Sequence, residues 1–97
     1  MKLEKDVARL AGVLKSVNDL IALGIMQELT DKPNIYVFKN ILLGKDKKYM
    51  KNWCENILTV WAHTFKSTNA SFVELNVFDK ESGDFICSYS VKDGLKI

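Results

Sequence analysis

Apolar residues at the start of the chain recur at alternating intervals of four and three positions, the spacing of a helix with a narrow apolar seam. The seam consists of Leu3, Val7, Leu10, Leu14, Val17 and Ile21. Gly24 interrupts this pattern. The helix, which we expect to begin at Lys2, therefore either ends there or bends and continues to about Leu29. Pro33 disfavours helix at the preceding residue and indicates a turn over 30–34.

The clearest pattern lies between about Asp46 and Lys66, where large apolar residues recur every four positions. These residues are Tyr49, Trp53, Ile57, Trp61 and Phe65. The pattern predicts a second long helix with one broad apolar face, on which both tryptophans are largely buried. Asp46 can cap the N-terminus of this helix by accepting a hydrogen bond from its first turn.

Segment 35–43 fits two different structures. Its first four residues are β-branched or aromatic and suit a strand. Its apolar residues could equally line one side of a short helix capped by Gly44, and we favour this helix. The period-two alternation of apolar residues in 73–77 and 85–91 predicts two strands that are joined by a turn at 80–83.

Together these elements predict an α+β fold: two long amphipathic helices and a shorter third element, packed on a C-terminal antiparallel β-hairpin. We expect a single domain over residues 1–97, because a chain of this length has no room for two cores. At 47% apolar residues, the chain can fill one core without a metal ion or a disulfide. A two-stranded hairpin is marginally stable alone, so it must pack on the helices or gain further strands.

The charge pattern of the first residues bears on the compartment. The N-terminus carries both signs of charge, and the following apolar stretch is broken by Arg9 and Lys15, which argues against a signal peptide or anchor. We therefore expect a cytoplasmic protein with no membrane partner. Cys54 and Cys87 are expected to be buried thiols in a reducing compartment.

Residues that could support catalysis are sparse. His63 is the single histidine; Thr59 and Ser67 lie four positions from it, and no carboxylate lies three or four positions away to orient the imidazole. One histidine and two scattered cysteines lack the ligand spacing of a zinc site. No two glycines are close enough to form a phosphate-binding loop. We therefore expect no enzyme activity, no catalytic residue, no metal and no cofactor.

Positive charge is concentrated in the middle of the chain. Residues 32–66 carry a net charge of +5, against −1 before them and −2 after them, for a total of +2. The candidate partner-binding residues are Lys45, Lys47, Lys48 and Lys51, with contributions from Lys39 and Lys66. Such a patch can bind an acidic protein surface or a phosphate backbone.

These observations favour a small non-enzymatic protein-binding domain: an adaptor, an inhibitor or a regulatory subunit, of the kind encoded by phages or mobile elements. It would act by occluding or bridging a protein partner. The alternative is a nucleic-acid-binding protein that uses the lysine patch at 45–51. We also expect a homodimer, formed through the seam of the first helix or through the free edges of the hairpin.

Overall fold

The computed structural model describes the backbone of residues 2–65 and 73–97, and the side chains of residues 10–65 and 73–97. Its elements are α1 (Lys2–Ala22), β1 (Asn34–Val37), a 3₁₀ turn (Lys39–Ile41), α2 (Lys47–Thr64), β2 (Leu75–Asp79), β3 (Phe85–Ser90) and β4 (Gly94–Lys96). The α+β class is confirmed. No helix among the described residues is both long and apolar enough to span a bilayer.

The sheet is larger than the predicted hairpin. It has four strands among the described residues, in the order β1-β2-β3-β4. β1 pairs with β2 in parallel, and the two other pairs are antiparallel. The β2–β3 hairpin is therefore present, but as the centre of a mixed sheet, so the prediction of a hairpin alone was wrong.

The helix favoured for segment 35–43 was also wrong. Residues 34–37 form β1, and the third element shrinks to the 3₁₀ turn that follows it. Ile35 and Val37 are fully buried and lie opposite Val77 and Asp79 of β2. The outer edge of β1 is also partly paired, because the Gln27 N–H donates to the Tyr36 carbonyl over 2.8 Å. Backbone hydrogen bonds on both edges of β1 stabilise a strand here, although the spacing of its apolar residues also fits a helix.

Helix α1 ends where Gly24 interrupts the seam. The Gly24 N–H donates to the carbonyl of Ile21, and the Ile25 N–H donates to the carbonyl of Leu20. This is a Schellman motif, which needs a left-handed residue at its centre, and Gly24 has φ = 75°. The helix therefore stops rather than continuing to Leu29, and this releases the segment that pairs with β1.

Helix α2 begins as predicted. The Asp46 carboxylate accepts a hydrogen bond of 2.8 Å from the Tyr49 N–H. The burial of its apolar face is uneven: Trp61 is buried, Trp53 is partly buried, and Tyr49 is 45% exposed. Phe65, just after the helix, is also exposed. The four-residue repeat therefore marks the core only in the middle of the helix.

The described part of the molecule is layered. α2 packs on β3 and β4, and α1 packs on α2. Cys87 of β3 faces Cys54 of α2, and Val77, the partner of Cys87 in β2, points the same way. Alternate strand residues, including Tyr36 and Phe78, therefore point to the face of the sheet opposite α2.

The predicted seam of α1 contributes to this layering. Val17 is buried in the core, and Leu14 and Ile21 are partly buried and packed against it. Leu10 is partly buried. The side chains of Leu3 and Val7 lie outside the described residues, although both positions belong to the helix. A homodimer through this seam stays a prediction.

Candidate binding surface

Three of the predicted lysines lie together at the start of α2. Lys47, Lys48 and Lys51 are exposed, and with Leu95 and Ile97 they line a surface depression of about 380 Å³. The first turn of α2 contains no acidic residue. The helix dipole places partial positive charge at this end, where the Asp46 carboxylate caps the helix and the three lysines add positive charge.

The other predicted lysines are placed differently. The Lys45 Nζ lies 5.1 Å from the centre of the Tyr49 ring, in a cation–π contact. Lys39 is exposed in the 3₁₀ turn, where its N–H donates to the Asp79 carboxylate over 3.4 Å. Lys66 lies outside the described residues. The predicted patch is thus divided, with Lys47, Lys48 and Lys51 as its coherent part.

A second depression, of about 290 Å³, adjoins the first. It is lined by Lys39, Leu42, Leu43, Gly44, Met50, Phe85, Ile86 and Ile97. Leu42 and Met50 are buried, whereas Ile97 is 68%, Leu43 64% and Phe85 53% exposed. Three large apolar side chains, each more than half exposed, therefore surround one concavity.

Ile97 lines both depressions, so they form one continuous surface, which we call the basic–apolar surface. Among the described residues, its lining includes Lys39, Lys47, Lys48 and Lys51 but no acidic side chain. The single ion pair within the described parts of the chain joins Lys96 to Asp93 at 3.7 Å. Among the described residues, none of these four lysines forms an ion pair with an acidic side chain.

An aromatic cluster holds Phe85 in place at the edge of this surface. Phe78 stacks on Tyr36, with ring centres 5.3 Å apart, and meets the edge of Phe85 at 6.0 Å. A shift of register between Val77 and Phe78 places Phe85 opposite Phe78. Phe85 thus lies at the start of β3, beside this irregularity, and is 53% exposed.

The residues considered for catalysis are not brought together. His63 is exposed in the last turn of α2, and the Thr59 hydroxyl donates to the Glu55 carbonyl over 2.8 Å. Ser67 lies outside the described residues. Within the described ranges, no group of three or more histidine, cysteine or acidic side chains could hold a metal ion.

The two cysteines meet inside the core. Their Sγ atoms are 3.9 Å apart, and both residues are fully buried free thiols. The hydrogen bond with Cys87, together with burial, raises the pKa of the Cys54 thiol. Cys54 is therefore protonated at neutral pH and is a poor nucleophile.

Sequence reasoning found the lysines but missed the apolar half of the surface. Leu43, Phe85 and Ile97 are isolated apolar residues near the ends of elements, and no periodic pattern marks them. Comparison with known protein families, with curated proteins and with solved structures finds no match to this chain. The surface is therefore interpreted from its own chemistry.

Proposed function

We propose that the chain is a small non-enzymatic protein-binding domain, an adaptor, inhibitor or regulatory subunit that occludes or bridges a partner through the basic–apolar surface. The observation that carries the proposal is the clustering of Leu43, Phe85 and Ile97 around one concavity. Exposed apolar side chains that stand singly are common on soluble proteins, whereas a group of them with a polar rim is typical of an interface.

The arrangement also has the layout of an interface hot spot. The buried side chains of Leu42 and Met50 form a fixed floor, and the aromatic cluster restrains Phe85. Side chains that are already ordered lose little conformational entropy when a partner covers them. The lysines lie at the rim, where charges affect the association rate and the choice of partner more than they affect affinity.

The proposal is tested by affinity capture from the native host with tagged wild-type protein and three variants. Leu43→Asp and Ile97→Asp place a charge in the concavity. Val91→Asp is the matched control, because Val91 is 59% exposed in the turn at the opposite end of β3. Mass spectrometry should find a stoichiometric protein with the wild type and the control, but not with the other two variants.

Two results would contradict this proposal. One is capture that is equal for all four proteins, since the concavity would then play no part. The other is recovery of nucleic acid without a protein partner. Circular dichroism of each variant shows whether a loss of capture reflects the surface or the fold.

Nucleic-acid binding is a second candidate, supported by the lysines at the start of α2, none of which forms an ion pair among the described residues. Contacts from Lys45, Lys47, Lys48 and Lys51 would give a logarithmic salt slope of about −3 to −4 on duplex DNA. A mobility-shift titration at low salt measures this directly. The absence of a complex at micromolar protein eliminates this candidate.

A further inference from the structure

The charge on the basic–apolar surface restricts the chemistry of its partner. Lys39, Lys47, Lys48 and Lys51 line it, and no acidic side chain is among its described lining residues. Three of these lysines lie in the first turns of α2. If a partner covered these lysines with apolar or basic groups, their charges would leave water without gaining an opposite charge, and this would cost binding free energy. Charge complementarity therefore requires acidic groups on the partner.

The apolar depression restricts the partner in a second way. Its exposed walls, Leu43, Phe85 and Ile97, carry no hydrogen-bonding side-chain group, and its floor includes Leu42 and Met50. Such a lining favours an aliphatic or aromatic side chain. Because Ile97 belongs to both depressions, neighbouring positions of one partner segment can supply the apolar group and the acidic groups together.

Two other occupants match this surface less well. In a two-fold dimer, both copies contribute the same patch, so a contact centred here would place lysines against lysines. A nucleic acid would satisfy the lysines, but Phe85 is the single aromatic residue among the described lining residues, and Leu43 and Ile97 offer no stacking surface for bases.

We infer that the basic–apolar surface binds an acidic amphipathic peptide segment of a protein partner. A large apolar side chain of the segment sits between Leu43, Phe85 and Ile97, and its carboxylates face Lys47, Lys48 and Lys51. An amphipathic helix presents both kinds of residue on adjacent stripes, at spacings of three and four. This inference rests on the proposed function and specifies the chemistry of the partner.

The test is a selection from a displayed library of random peptides on the wild-type domain, with counter-selection on Leu43→Asp. The selected peptides should be enriched in aspartate and glutamate flanking large apolar residues. The best peptide is then synthesised with a fluorescent label, alongside an analogue with amides in place of its acids and another with alanines in place of its apolar residues. Binding is measured by fluorescence anisotropy.

We expect each analogue to bind at least tenfold more weakly than the parent peptide. The combined variant Lys47→Glu, Lys48→Glu, Lys51→Glu should weaken binding of the parent by a similar factor and should bind a lysine-substituted peptide instead. Val91→Asp should change nothing. Raised salt should weaken binding of the parent peptide and leave binding of the amide analogue unchanged.

The inference is overturned if the selected peptides lack acidic residues, if no peptide is selected, or if the amide analogue binds as well as the parent. It is equally overturned if an oligonucleotide or a second copy of the chain occupies the surface in a manner that Leu43→Asp abolishes. If wild-type protein still captures a host protein that the Leu43→Asp variant does not capture, the proposed function stands. In that case only the inference that the partner segment is acidic is wrong.

Discussion

Replacement of Gly24 by alanine should destabilise the domain, whereas the same replacement at Gly12 should stabilise it. A Cβ atom added at either position meets no heavy atom within 4 Å, so packing contributes to neither change. Gly24 has φ = 75°, a conformation that costs an L-residue about 1–2 kcal/mol. Gly12 lies inside α1, where alanine is more favourable than glycine by about 0.5–1 kcal/mol.

The two variants should thus differ by about 2 kcal/mol in free energy of unfolding, or by roughly 8–16 °C in Tm for a domain of this size. Urea denaturation followed by circular dichroism measures the difference, and equal slopes show that both variants expose the same surface. Asparagine at Gly24 should cost less than alanine, because it tolerates the left-handed region better. A stabilising effect of Gly24→Ala would show that α1 does not end in this motif.

Three further predictions concern single side chains. Trp61→Phe removes a 2.9 Å hydrogen bond to a backbone carbonyl and should lower the free energy of unfolding by about 1–3 kcal/mol. The control Trp53→Phe, at a partly buried position, should lower it by less than about 1 kcal/mol. Urea denaturation measures both losses, and equal losses would contradict the prediction. The thiols of Cys54 and Cys87 should resist alkylation in the native protein and react as urea unfolds it, so rapid native labelling would show an open core. A hydrogen bond from a neighbouring serine hydroxyl lowers the pKa of Asp79. The ionised carboxylate therefore stabilises the fold at pH values above the ordinary carboxyl pKa, and this stabilisation is lost as the pH falls through the lowered pKa. The stability difference between wild type and Asp79→Asn should therefore shrink in acid, and a constant difference would refute this.

The elements that could be predicted are those with a pattern confined to one segment. The repeat around Trp53 and Trp61 extends over five turns, and the cap at Asp46 is adjacent to it, so α2 follows from local sequence alone. The β2–β3 hairpin is likewise local, because alternation and turn lie within one stretch of chain. Local patterns were sufficient where the contacts that stabilise an element are also local.

β1 shows why the rest could not be predicted. Its four residues fit a helix or a strand equally, and the choice is made by pairing Ile35 with Val77, forty-two positions away. β4 is three residues long, too short to display a period. Its start is fixed by Gly94 at φ = 74° and by a hydrogen bond from the Asp93 N–H to the Ser90 hydroxyl. Both strands depend on partners that the surrounding sequence does not specify.

The same reasoning applies to the basic–apolar surface. The lysines could be found from sequence, because Lys47, Lys48 and Lys51 are close in the chain and charge can simply be counted. Leu43 and Ile97 are fifty-four positions apart in the chain and meet because β4 returns beside α2. The apolar half of the surface is a product of tertiary structure, so it became visible when the sheet was known.

The proposed function includes two modes of action, bridging and occlusion, and they differ in whether the chain dimerises through the seam of α1. Val17 is buried inside the domain, and Leu14 and Ile21 pack against the same core, so their apolar surface is largely used within one chain. The regular spacing of apolar residues along α1 therefore does not show that the whole seam packs on one surface. The part of the seam on which the predicted homodimer still depends is Leu10 and the positions before it. A dimer formed there would carry two basic–apolar surfaces and could bridge two partner segments, whereas a monomer has one surface and can act on a partner by occluding it.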